Sequence, residues 1–139
     1  MPKKPLILIV DDEDSFIEIM TTKLRAEGFD TAAAHDETEA MKQAEALSPD
    51  LILMDIYMPP GPTGTDAALA IKQNPKTKNI KIAFLSSLNN PWPFVDVNKD
   101  KASREMGMED FLMKENDLDA NVSKIREILK GVEVEAKAG

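Results

Sequence analysis

Five short segments of this 139-residue chain have the composition of buried β-strands, and amphipathic segments separate them. LILIV at 6–10 and DLILM at 50–54 are almost entirely apolar, which is typical of strands buried on both faces. DTAAA at 30–34, IKIAFL at 80–85 and EDFLM at 109–113 complete the set. Strands that alternate with helices predict a parallel sheet with helices on both faces.

The segments between the strands have helical spacing. The first carries Phe16, Ile17, Met20 and Leu24 and stops at Gly28; the second, capped by Asp36, carries Ala40, Met41, Ala44 and Leu47. Further helices are predicted at 65–73 and 99–107. The last helix has apolar residues at spacings of four, three and four: Leu118, Val122, Ile125 and Leu129.

Composition limits the function classes. We expect one domain over 5–130 and a flexible tail over 131–139. The chain has no cysteine, so nothing suggests a disulfide scaffold or a thiolate metal site. Its longest apolar runs, about five residues, are too short for a membrane span or a signal peptide, so we expect a cytoplasmic protein with no membrane partner. The net charge of −8 argues against direct binding of nucleic acid.

Polar side chains lie where the predicted strands end. Asp11 and Asp12 follow the first strand, Asp55 the third, Ser86 the fourth and Lys114 the fifth. Each has an ordinary explanation by itself, as a helix cap, a turn residue or a solvated charge. Functional groups of a parallel sheet gather at the carboxyl ends of its strands, however, and the joint placement predicts a site.

The chemistry of these residue types explains why they are grouped. Clustered carboxylates repel one another, and magnesium relieves that repulsion through oxygen ligands. A carboxylate can also attack a phosphoryl group, and transfer then needs positive charge and a hydroxyl near the phosphoryl oxygens. Asp55 ends an apolar strand and precedes the proline-rich loop IYMPPGPTG, which holds it open. The pattern predicts a metal-assisted phosphoacceptor.

Four segments, LILIVDDED, DLILMDIYMP, IAFLSS and MEDFLMK, together resemble the receiver domain of bacterial two-component response regulators, in particular the single-domain, chemotaxis-regulator-like type. The resemblance covers roughly residues 5 to 130, and the order and spacing of the segments make it specific. It implies an α/β fold: a (βα)5 doubly wound, five-stranded parallel sheet of the flavodoxin-like kind.

The resemblance also implies roles for the residues at the strand ends. Asp55 would be the phosphorylation site and Asp12 a direct magnesium ligand, while Asp11 would hold metal-bound water. The backbone carbonyl of Tyr57 would complete the metal site, with a magnesium ion as the cofactor.

Three more residues would sense the phosphoryl group. By the same resemblance, Lys114 would pair with the phosphate and Ser86 would be the switch hydroxyl. Phe111 occupies the aromatic switch position, where it can pack but cannot donate an O–H hydrogen bond.

The sequence departs from the family at three places. The glycine of the Asp-x-x-Met-Pro-x-x-x-Gly loop comes one residue later, as Gly64, and Glu115 replaces the proline that usually follows the lysine. The segment between Ser86 and Lys114 is longer than usual. It contains the loop 89–98 with Trp92, which either anchors a partner or covers the sheet edge of its own domain.

The leading hypothesis is a phosphorylation-dependent signalling switch, a receiver that catalyses its own phosphotransfer and slow dephosphorylation rather than a conventional enzyme. Its donor would be a sensor histidine kinase or a histidine phosphotransfer protein. Unless the sequence is a piece of a longer chain, output would go to another protein through the face formed by the fourth helix (99–107), the fifth strand and the fifth helix; a homodimer is possible.

Two alternatives remain. A phosphorylation-independent docking module is favoured by Glu115 and the long loop and opposed by the intact set of polar residues. An aspartate-nucleophile phosphohydrolase would need Asp-x-Asp at the end of the first strand. Asp12-Glu13-Asp14 has that form, but the apolar strand ends at Asp11, and Asp55 would then have no role.

Overall fold

All five strands join in one parallel sheet with the order β2-β1-β3-β4-β5. The strands are β1 Leu6–Val10, β2 Asp30–Ala34, β3 Leu51–Asp55, β4 Lys81–Ser86 and β5 Asp110–Met113. The structure, a computed structural model, describes residues 4–58, 63–87, 104 and 106–138, with 131–138 described by their backbone alone. Within these ranges the helices are α1 Asp14–Ala26, α2 Glu37–Leu47, α3 Thr63–Gln73 and α4 Leu118–Ala138.

The three inner strands, β1, β3 and β4, are buried on both faces, as their apolar sequences predicted, whereas the edge strand β2 is partly exposed. Alternate residues of each strand point to opposite faces, so one strand contributes to two cores. One core lies under α2 and α3 and includes Leu8, Ile52 and Phe84. The other lies under α1 and α4 and includes Ile9, Leu53 and Leu85. The doubly wound, flavodoxin-like prediction is therefore confirmed.

Local signals at the ends of the helices agree with the structure. Asp36 caps α2, since its Oδ1 accepts a hydrogen bond from the Glu39 amide at 2.8 Å. Gly28, just beyond α1, has a φ of +97°, a conformation that residues with a side chain rarely adopt.

The predicted inner face of α2 is partly wrong. Ala40 and Ala44 are buried, whereas Met41 and Leu47 are 37% and 40% exposed. Met41 lies about 100° around the helix from Ala40, and Leu47 is the last residue of α2, so both lie at the margin of the packed face.

Several predictions fall outside the described residues. These include the loop 89–98 with Trp92, most of the predicted helix at 99–107, and the loop 59–62. Helix α4 includes 131–138. The domain bounds 5–130 and the flexible tail at 131–139 stay predictions. No helix in the described ranges combines the length and the hydropathy that crossing a membrane requires.

Candidate functional site

Three carboxylates meet at the carboxyl edge of the sheet. Asp55 is the last residue of β3 and is 3% exposed, while Asp11 directly follows β1 and is fully buried. Asp12, the next residue, is exposed. Because β1 and β3 are hydrogen-bonded neighbours, their ends lie side by side. Carboxylate oxygens of the three residues lie within 4.8 Å of one another.

Backbone amides hold one oxygen of each buried carboxylate. The Glu13 amide donates to Asp11 Oδ1 at 2.9 Å, and the Tyr57 amide donates to Asp55 Oδ1 at 3.3 Å. The Asp11 amide in turn donates to the carbonyl of Ala34 at 3.0 Å, which extends the pairing of β1 with β2. Asp11 and Asp55 therefore belong to the rigid end of the sheet rather than to a mobile loop.

Lys114, directly after β5, pairs with the other oxygen of each buried carboxylate. Its Nζ lies 2.6 Å from Asp11 Oδ2 and 3.3 Å from Asp55 Oδ2. The Lys114 amide donates to the carbonyl of Ser86 at 2.9 Å, so the ladder between β4 and β5 positions its backbone. The side chain is only 12% exposed, and the pairs are thus little screened by water.

Burial and charge shift the pKa of both partners. Loss of solvation, followed by repulsion from Asp11, raises the pKa of Asp55 to about 7, although Lys114 opposes the shift. Burial alone would lower the pKa of Lys114, but hydrogen bonding and attraction to Asp11 and Asp55 outweigh it and raise that pKa. The lysine is therefore a permanent cation, while Asp55 can change its charge near neutral pH.

The donor set fits a hard divalent cation. Carboxylate oxygens on three residues, two of them buried, repel one another, and one ammonium group neutralises only part of their charge. Mg²⁺ binds through one or two carboxylates and keeps several waters, which suits a site with an exposed Asp12. The structure places the backbone of Tyr57 beside Asp55. The ligand role of the Tyr57 carbonyl stays a prediction.

The two predicted switch residues lie on the strands next to the acceptor. Ser86 ends β4 and is 1% exposed, one residue beyond Leu85, which pairs with Asp55. Phe111 is 1% exposed and pairs with Phe84 in the ladder of β4 and β5. Their roles in switching stay predictions.

Gly64 packs against the backbone of the acceptor despite its shifted position in the sequence. A Cβ atom built on Gly64 would lie 1.8 Å from the Asp55 carbonyl oxygen, so no side chain fits there. The Gly64 amide donates to the carbonyl of Ile56 at 3.0 Å. Helix α3 is thereby held directly against the end of β3.

Two residues near Lys114 were missed by the sequence analysis. The ring centroid of Phe16 lies 4.7 Å from Lys114 Nζ, a distance typical of a cation–π contact. Helical spacing had placed Phe16 only among the apolar residues of α1. Asn121 of α4 is 1% exposed and bonds to the turn that carries the lysine. A polar residue one helical turn from Leu118, on the apolar face, was the available signal.

A doubly wound sheet with an acidic cluster and a lysine at its carboxyl edge defines a receiver-type domain. The sequence profile described as "Response regulator receiver domain" matches residues 7–126. The chain belongs to the response regulator receiver domain family, as predicted.

Curated relatives include the DNA-binding response regulator MtrA of Mycobacterium tuberculosis, which is 36% identical over 108 residues. That match covers 78% of this chain and 43% of MtrA. Response regulator PleD of Caulobacter vibrioides is 31% identical over 108 residues, which cover 78% of this chain and 22% of PleD. The chain therefore spans less than half of the length of these relatives.

Solved structures share the fold. A response regulator from Desulfuromonas acetoxidans matches with a TM-score of 0.74 and 26% identity, covering 91% of this chain and 97% of that one. Chemotaxis protein CheY4 of Vibrio cholerae matches with a TM-score of 0.78 and 21% identity, covering 91% and 100%. The second likeness concerns the fold alone.

Proposed function

We propose that this receiver domain is a phosphorylation-dependent switch whose acceptor is Asp55. The observation that carries the proposal is the arrangement around the Asp55 carboxylate, which is buried, grouped with Asp11 and Asp12, and 3.3 Å from the ammonium of Lys114. The donor is a phosphohistidine on a sensor kinase or a phosphotransfer protein, as family membership implies in general.

In the transfer step an Asp55 oxygen attacks phosphorus. A P–O bond forms while the P–N bond to the donor imidazole breaks, and the departing nitrogen keeps the electron pair. Attack needs the ionised carboxylate, which Lys114 favours and burial disfavours. Asp12, Asp55 and the Tyr57 carbonyl would hold a Mg²⁺ ion, with Asp11 holding metal-bound water, and the ion would supply positive charge for the phosphoryl oxygens.

Lys114 and Ser86 bind the product. The ammonium already lies beside Asp55, so it pairs with a phosphoryl oxygen after a small movement. The Ser86 hydroxyl bonds another oxygen and draws the end of β4 inward, and Phe111 then repacks. Because the new contacts form only in the active arrangement, phosphorylation shifts the equilibrium toward it.

The output is proposed to be a contact with another protein, at β5, α4 and the helix predicted for 99–107, with a homodimer as a possible state. MtrA is a DNA-binding response regulator, but this chain matches only 43% of it. The domain is a receiver rather than a conventional enzyme, and its phosphotransfer and slow dephosphorylation belong to the proposal, as does a cytoplasmic location.

The metal site can be tested separately from the acceptor. Asp12→Ala removes an exposed carboxylate and should abolish phosphorylation by acetyl phosphate with magnesium, while the circular dichroism spectrum stays unchanged. Asp30→Ala, at the other edge of the sheet, is the matched control and should leave phosphorylation intact. Normal phosphorylation of Asp12→Ala would show that the metal binds elsewhere.

A further inference from the structure

Asn121 is a buried polar residue with both ends of its side chain engaged. Its Nδ2 donates to the carbonyl of Met113 at 3.0 Å, and its Oδ1 accepts from Asn116 Nδ2 at 3.4 Å. The residue lies on the apolar face of α4, beside Val122, and is only 1% exposed although it is polar. A buried amide is costly unless it is hydrogen-bonded, so these contacts select one geometry of the partner segment.

The segment that Asn121 contacts is the turn carrying Lys114. The carbonyl of Met113, the residue before the lysine, accepts from both Asn121 and the Asn116 amide, the latter at 3.2 Å. On the other side, the Lys114 amide is fixed to the carbonyl of Ser86. The turn between β5 and α4 is thus held from the strand and from the helix.

The residue after the lysine, Glu115, adds no covalent restraint to this turn. A proline after the lysine would restrict the backbone covalently, but glutamate leaves both dihedral angles of residue 115 free. Lys114 must nevertheless hold its ammonium 2.6 Å from Asp11 and 3.3 Å from Asp55. The hydrogen bond that Asn121 donates to the Met113 carbonyl, and the one that it accepts from Asn116, are restraints on this turn that do not depend on residue 115.

We propose that Asn121 is a positioning residue for Lys114, acting through the Met113 carbonyl to aim the ammonium at the carboxylates. The importance of that position for phosphotransfer rests on the proposed function. The position of the ammonium itself is independent of the proposed function, because it can be observed in protein that carries neither metal nor phosphate.

The test compares Asn121→Leu with Thr77→Val. Leucine keeps the approximate volume and removes both hydrogen bonds. Thr77 is 2% exposed, and its hydroxyl donates to the carbonyl of Ile71 at 2.7 Å, so valine there removes a buried hydrogen bond remote from the site. NMR of the metal-free proteins would follow the ring-current shift of the Lys114 side chain over Phe16. Intact mass would follow the rate of phosphorylation by acetyl phosphate.

Asn121→Leu should lose the ring-current shift and slow phosphorylation by at least about tenfold, because misplacing a catalytic group by about 1 Å can cost as much as about a hundredfold in rate. Thr77→Val should keep both. A folded Asn121→Leu protein that retains either the shift or the rate overturns the inference. If leucine prevents folding, Asn121→Ala is judged by the same two criteria. If the wild type itself is not phosphorylated, the proposed function fails and the ring-current shift alone decides the role of Asn121.

Discussion

Lys114 Nζ lies 2.6 Å from Oδ2 of Asp11, closer than the 3.3 Å that separates it from Asp55. The lysine is therefore paired both with the residue predicted to hold metal-bound water and with the acceptor. In the proposed switch, Mg²⁺ and the ammonium would be attracted by the same carboxylates, so they would oppose each other before phosphorylation and cooperate once a phosphoryl group adds negative charge.

Removing this lysine should consequently move two affinities in opposite directions. Lys114→Met should tighten Mg²⁺ binding by roughly fivefold, because two like charges 4 Å apart repel by about 1 kcal/mol even in water. It should weaken binding of beryllofluoride, a phosphoryl mimic, by at least about tenfold through loss of a charge-assisted hydrogen bond. Calorimetric titrations would measure both. Affinities that move in the same direction would contradict this account of the site.

The raised pKa of Asp55 predicts a specific dependence of stability on pH. Asp55 is protonated in the folded chain up to about pH 7 but ionises near 3.8 when unfolded. The protonated Asp55 therefore stabilises the fold at low pH, and the free energy of unfolding falls as the pH rises between these two values. Asp55→Asn has no ionisable group at this position. The free energy of unfolding of the variant minus that of wild type should therefore be at least about 1 kcal/mol larger at pH 8 than at pH 4.

Urea unfolding in the presence of a chelator would measure this difference, since the other titratable groups are common to both proteins. Adding Mg²⁺ at pH 8 should stabilise wild type and reduce the advantage of the variant. An advantage of Asp55→Asn that is the same at pH 4 and pH 8 would contradict the assignment of a raised pKa to Asp55.

The ring of Phe16 should contribute to the placement of the lysine. A cation–π contact of this kind is worth about 0.5–1 kcal/mol, so Phe16→Leu should weaken beryllofluoride binding by roughly twofold to fivefold. Phe16→Tyr should retain most of the affinity. Phe29, whose ring lies 5.1 Å from the Arg126 guanidinium away from the site, offers the control Phe29→Leu. Equal losses in the two leucine variants would mean that general destabilisation explains the effect.

Hydrogen exchange would distinguish the switch from a docking module that works without phosphorylation. Saturation with beryllofluoride and Mg²⁺ should slow exchange at the ends of β4 and β5, around Ser86 and Lys114, where new contacts form. Ser86→Ala should reduce this change while Asp55 remains phosphorylatable. Unchanged exchange across 81–87 and 106–114 would favour the docking module instead.

Much of the fold was predictable because each local pattern pointed to the same architecture. The apolar strands required cover on both faces, the helical spacings supplied it, and the parallel arrangement brought Asp11, Asp55 and Lys114 to one edge. Helical periodicity does not predict whether a residue at the margin of an apolar face is covered by the rest of the protein. Met41, on the margin of α2, looked like a core residue but is exposed.

The supports of the site were less predictable because they are single contacts between separate elements. Phe16 lies far from Lys114 in the sequence, Asn121 follows it closely but on the next helix, and neither belongs to a motif. The close approach of Gly64 to Asp55 was obscured by the extra residue in the loop before it. A polar residue on an apolar helix face, as at position 121, is the type of signal that could have indicated one of these contacts.

The central claim is that Asp55 is the acceptor, and intact-protein mass after incubation with acetyl phosphate and Mg²⁺ tests it most directly. Wild type should gain the mass of one phosphoryl group, and the gain should disappear in Asp55→Asn and when the metal is chelated. A stable gain of one phosphoryl group on Asp55→Asn, or no gain on wild type, would contradict the account.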